Sequence, residues 1–193
     1  MRSASVERNT RETRISATVS LDGGGEADIA TGIGFLDHML STFARFARFD
    51  LELRCDGDVA VDDHHTAEDC ALALGQAIDQ ALGDRRGIER FGHAYAPLDE
   101  ALVRAVVDLS GRPYPKVSLG FARDMIGAIA TENLTHFFQS LAVAGRMALH
   151  VEKLAGDNDH HKAEAAFKAT ALALRAAVRR DGSETVPSEK GVL

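Results

Sequence analysis

Apolar and polar positions alternate from Thr13 to Gly23 (TRISATVSLDG) and again from Ala101 to Gly111 (ALVRAVVDLSG). A period of two closed by glycine predicts a strand followed by a turn. Ile15, Ala17, Val19 and Leu21 of the first run fall in constant register on Val103, Ala105, Val107 and Leu109 of the second. The pattern continues to repeat downstream. Leu36-Asp37-His38-Met39-Leu40 lines up with Leu134-Thr135-His136-Phe137-Phe138, Leu51 and Leu53 with Leu149 and Val151, and Gly57-Asp58 with Gly156-Asp157. The register shifts only between blocks, as loop insertions of up to about ten residues would produce.

Each copy reads strand, strand, helix, strand, helix. The first helix begins near His38 or His136, and the short strand covers Leu51 to Arg54 or Leu149 to Lys153. Apolar residues at helical spacing mark the last helix: Ala71, Leu74, Ile78 and Leu82 in one copy, Ala166, Ala169, Leu172 and Ala176 in the other. Gly83 stops the first of these helices. The expected fold class is α+β, an internal duplication of two halves related by a pseudo-twofold, with helices packed on sheet. Residues 1–83 form the first half, 84–97 a connector, 98–180 the second half and 181–193 a tail without regular structure, in one compact domain.

Bulk properties narrow the function. The chain has 193 residues, 45% of them hydrophobic, and a net charge of -7. That is enough apolar material for a real core, and no Lys/Arg run dominates, which argues against nucleic-acid or membrane partners. An anionic ligand would need a few placed basic residues. The polar start, Met1 to Arg11, is not a secretory signal, and no stretch approaches a spanning helix. Cys55 and Cys70 form no disulfide framework and are expected to be reduced core residues. A cytoplasmic location is the default.

The chemistry lies in the histidines. His64-His65-Thr66-Ala67-Glu68 and His160-His161-Lys162-Ala163-Glu164 both read HHxxE, and each copy has one further histidine upstream, His38 or His136. Six of the eight histidines and two glutamates thus fall into matching sets. Imidazole with carboxylate suits divalent transition metals. On a helix, residues i and i+4 lie about 40° apart and adjacent residues about 100° apart. His64 can share a face with Glu68, while His65 points elsewhere, so adjacent histidines would serve different ions. Eight donors make two four-ligand sites, or one site built from both halves. Asp62-Asp63 and Asp157-Asn158-Asp159 are expected chiefly as helix caps, with a further role in orienting imidazoles. His93 and His150 belong to no repeated set and are expected at the surface.

Six segments, GFLDHML (Gly34 to Leu40), DDHHTAED (Asp62 to Asp69), PLDEAL (Pro97 to Leu102), DLSGRPY (Asp108 to Tyr114), HFFQSL (His136 to Leu141) and VPSEKGVL (Val186 to Leu193), together resemble the imidazoleglycerol-phosphate dehydratase family of histidine biosynthesis. The likeness runs through nearly the whole chain in order. It implies metal-dependent loss of water from D-erythro-imidazole glycerol phosphate to give imidazole acetol phosphate. It also implies two manganese ions per active site, other divalent metals being possible, and a 24-subunit homo-oligomer with sites between subunits. Carried over by motif position, the metal ligands are His38, His64, His65, Glu68, His136, His160, His161 and Glu164.

The proton to be removed sits on a carbon with no neighbouring carbonyl. Metals on the ring nitrogens would favour the imidazolate, which can expel hydroxide to give a diazafulvene-type intermediate; the adjacent C–H then becomes acidic. A positioned base must take that proton. The resemblance points to Glu12, with Asp99 and Lys168 as further candidates. Arg90, Arg112, Ser188 and Lys190 match phosphate-handling positions. The chain departs from the family at Ser41, Thr42 and Phe46, where Asp, Gln and His are usual, and at Glu189 in SEKG, which adds an anion beside the expected phosphate site. Alternatives are another dinuclear metalloenzyme, such as a phosphohydrolase, and a catalytically inactive metal-binding assembly. The set Glu12, Arg90, Arg112, Ser188 and Lys190 discriminates between them, because a metal store has no use for it.

Overall fold

The computed structural model describes all residues, Met1–Leu193. Its first half runs β1 (Ser3–Asn9), β2 (Thr13–Ser20), β3 (Ala27–Ala30), α1 (Gly34–Ala47), β4 (Asp50–Gly57) and α2 (His64–Leu82). The second runs β5 (Phe91–Leu98), β6 (Ala101–Asp108), β7 (Tyr114–Ser118), a hairpin of β8 (Met125–Ile126) and β9 (Ile129–Ala130), α3 (Thr131–Ala144), β10 (Ala148–Ala155) and α4 (Asp159–Ala177). Two four-stranded sheets have matching orders, β1-β2-β4-β3 and β5-β6-β10-β7, with one parallel pair in each.

The α+β duplication expected from the pattern is therefore present, with one extra strand opening each half. β1 was hidden in a polar N-terminus, and β5 begins inside the segment read as connector. Both are edge strands with an outer face in solvent, so neither carries a long apolar run. The β8–β9 hairpin supplies the insertion seen in the second copy. Helices α1 and α3 start about one turn before the motif histidines. The residues after α4 form no helix or named strand.

Burial explains the layering. β2 alternates between buried and exposed, with Ile15, Ala17 and Val19 facing inward, and β6 does the same with Val103, Ala105 and Val107. Helices α2 and α4 pack on β1–β2 and β5–β6 of their own halves, while the helices pair across halves as α1 with α4 and α2 with α3. The helices thus form a layer between two sheets, and one core of 51 buried residues runs through both halves. Each fully buried Leu, Ile or Phe in it contributes about 1.5–3 kcal/mol. Close helix approach requires glycine at one point: a Cβ on Gly75 would lie 2.8 Å from Ala144 Cβ and from the Leu141 carbonyl of α3. Buried Asp69 fastens α2 to the first sheet by accepting hydrogen bonds from the Thr13 hydroxyl at 2.5 Å and Arg8 Nε at 2.8 Å. Cys70 is buried and Cys55 half-buried, both as free thiols.

Candidate metal centres and anion site

The cross-half helix pairing decides where the histidines meet. His64 and Glu68 lie one turn apart on α2 and face His136 on α3; His160 and Glu164 lie one turn apart on α4 and face His38 on α1. Each trio has one donor atom per residue within 4.8 Å of the others. Each cluster therefore combines the HHxxE motif of one half with the lone histidine of the other. Glu68 Oε1 lies 2.9 Å from His136 Nε2, and Glu164 Oε2 lies 3.3 Å from His38 Nε2 and 3.4 Å from His160 Nε2.

The second histidine of each motif lies outside its neighbour's cluster. The His64 and His65 rings are 6.1 Å apart and nearly perpendicular, as are those of His160 and His161. His65 Nδ1 sits 3.1 Å from both Asp58 carboxylate oxygens, and His161 Nδ1 sits 2.7 Å from Glu100 Oε2. The Asp58 hydrogen bond raises the His65 pKa, and the Glu100 hydrogen bond raises that of His161. The same contact, aided by the backbone amides of Asn158 and Asp157, brings Glu100 down to about 2. At the other ring nitrogen, Glu12 Oε1 is 3.7 Å from His65 Nε2, and Asp99 Oδ2 is 3.8 Å from His161 Nε2.

Lys168 binds Glu164 Oε1 at 2.7 Å and lies over the Phe46 ring. Burial pushes the Glu164 carboxyl up, but Lys168 and then His38 outweigh it, and the net shift is downward. The Ser41 hydroxyl turns back onto the Asp37 carbonyl at 2.8 Å.

The acidic lead-ins divide their work. Asn158 caps α4 by accepting from the backbone amides of His160 and His161, and Asp62 accepts from that of His64 at 2.7 Å. Asp159, buried and paired with Lys162, instead holds the amides of Ala122 and Arg123. Asp63 accepts from the Ala130 amide and from Asn133 Nδ2, and Asn133 Oδ1 faces His64 Nδ1 at 2.8 Å. Sequence reasoning missed Asn133 and the pairing of Glu100 with His161. Only Asp58 left a signal, in the repeated Gly-Asp.

A separate polar cavity of about 740 Å³ is lined by Arg86, Arg90, Ser188 and Glu189, among others. Arg90 is fixed there by Asp108, at 2.7 and 3.1 Å, and by the Pro187 carbonyl at 2.8 Å. Lys190 is exposed in the same tail segment. Arg112 lies outside the cavity lining, exposed beside Gly111, whose Cβ position falls 2.8 Å from the Leu193 carbonyl carbon. None of the eight motif ligands lines this cavity. No helix is long and apolar enough to cross a membrane.

Comparison with known proteins follows the same lines. Residues 31–174 match the family model described as imidazoleglycerol-phosphate dehydratase. A protein of that name from Salinibacter ruber is 54% identical over 193 residues, covering 100% of this chain and 96% of its own length. One from Cereibacter sphaeroides is 53% identical over 195 residues, with 100% of both chains covered. Another from Phytophthora nicotianae is 56% identical, but this chain spans only 43% of that protein's length. Among solved structures, the imidazoleglycerol-phosphate dehydratase of Staphylococcus aureus superposes with a TM-score of 0.84 at 33% identity, over 92% of this chain and 99% of its own. That of Pyrococcus furiosus, in complex with (S)-C348, gives 0.84 at 37% identity, over 97% and 100%.

Proposed function

This chain belongs to the imidazoleglycerol-phosphate dehydratase family and is a hydro-lyase of histidine biosynthesis, and we propose that it dehydrates D-erythro-imidazole glycerol phosphate at a dinuclear metal centre shared between copies of the chain. The observation that carries this reading is the sorting of eight donors into two three-ligand clusters and two spare histidines.

The donor sets fit divalent metals. Two imidazoles and one carboxylate suit manganese and its neighbours in the first transition row, and three donors leave room for a fourth ligand and substrate. His65 and His161 each have Nδ1 held by a carboxylate, which orients the ring and leaves Nε2 to bind. In this reading each completes a cluster on another copy, giving sites between subunits of a 24-subunit homo-oligomer. Two Mn2+ ions, or other divalent ions, held by these residues would supply Lewis acidity and orient the substrate.

The chain's own residues do the rest. Once the ring's electrons have expelled hydroxide from the carbon attached to the ring, Glu12 takes the proton from the next carbon along, giving the enol that becomes the ketone. Asp99 is a weaker candidate base, and Lys168 serves by holding Glu164. Arg90 is set by Asp108 before substrate arrives, and with Arg112, Ser188 and Lys190 it receives the phosphate. The test is dehydration by chelator-stripped protein with and without added Mn2+. Turnover restored by the ion supports the proposal. Full turnover without metal, or metal uptake without turnover, would defeat it.

A further inference from the structure

We propose that Asn133 is a positioning residue for His64, and that the chain Asp63–Asn133–His64 makes the α2–α3 cluster the tighter of two unequal metal-binding clusters. This rests on the dinuclear reading above.

Asn133 is buried in the first turn of α3, one turn before His136. Its amide could face either way, but Asp63 decides. A carboxylate has no proton to give, so the amide nitrogen donates to Asp63 Oδ2 at 3.0 Å, where the Ala130 amide also donates at 2.7 Å. The amide oxygen must then face His64 Nδ1, 2.8 Å away. A carbonyl only accepts, so Nδ1 carries the proton and Nε2 presents its lone pair toward Glu68 and His136. Tautomer and ring orientation are set before any ion arrives.

The other cluster lacks this device. In the repeat register that pairs His38 with His136, Phe35 stands where Asn133 stands. Its ring meets His160 edge-on at 5.1 Å and offers no acceptor. The facing rings differ accordingly: His64 and His136 stack at 4.9 Å and 22°, whereas His38 and His160 are 6.4 Å apart and tilted by 45°. Glu164 is also held by Lys168, whose charge opposes an incoming cation. The corresponding position in the first motif is Leu72. One duplicated ligand plan thus yields one pre-set cluster and one looser cluster.

The experiment is Mn2+ titration of the chelator-stripped full-length protein, following free ion by its electron paramagnetic resonance signal. The native protein should show two affinity classes. Asn133→Leu should weaken the tighter class roughly 10- to 100-fold and leave the other unchanged. Asp63→Asn, which frees the amide to turn, should weaken the same class in the same direction, and it carries the test if the leucine variant fails to fold. Native protein that binds Mn2+ with both variants unaffected, or with both classes shifted alike, would overturn the inference alone. Native protein that binds no Mn2+ would overturn the metal reading on which it rests.

Discussion

His65 and His161 occupy the same place in the repeat and are held by carboxylates from different places. Asp58 reaches His65 from the loop before α2, whereas its repeat equivalent, Asp157, is exposed and leaves His161 to Glu100 of the β5–β6 turn. Glu100 is itself the repeat equivalent of Glu12. In one half this glutamate is locked onto Nδ1 and two backbone amides. In the other half it stands exposed, 3.7 Å from Nε2. Both halves thus keep a histidine with a carboxylate on Nδ1, but only one of the two equivalent glutamates is left unlocked. The asymmetry favours Glu12 over Glu100 as the proposed base.

The largest effect should come from Glu12→Gln, which keeps both metals but lowers kcat by about 10²- to 10⁴-fold; steady-state kinetics with parallel metal analysis checks it. Glu100→Gln should do the reverse, weakening metal affinity roughly 10- to 100-fold while the fully loaded enzyme keeps most of its kcat. Equal kcat losses in the two variants would erase the distinction between the halves. Arg90→Met should raise KM about tenfold or more with a smaller change in kcat, the loss expected for a charge-assisted hydrogen bond to phosphate.

The smallest effect is a pH dependence of the metal-free protein. His161 has a raised pKa, so its contribution to stability is fully present below the unfolded imidazole value and is lost as pH rises through the raised one. The Glu100 carboxyl, brought down to about 2, contributes above its unfolded value and loses that contribution as pH falls toward about 2. Glu100→Gln should therefore lower Tm slightly between the two carboxyl values and the raised imidazole value. At alkaline pH the difference should vanish, as thermal melts across pH would show.

The duplication was legible because alternation in β2 and β6 and the paired HHxxE motifs survive as local patterns. Edge strands β1 and β5 were not legible, since one face of each meets solvent and the other is covered only by tertiary packing. The separation of His64 from His65 followed from helical angles. The partnership of His64 with His136, and not with His38, required knowing that α2 packs on α3. Asn133 gave no signal at all, because its role arises from a contact between two helices distant in sequence. The departures at Ser41 and Phe46 acquire neighbours, the Asp37 carbonyl and Lys168, that only folding supplies.

The proposed dinuclear site needs both three-donor clusters to be finished by histidines outside them. Its most direct test is the manganese bound per chain by His65→Ala, in protein whose circular dichroism matches the native form. One of the two equivalents should be lost, although His65 belongs to neither cluster within the chain. Retention of both would contradict it.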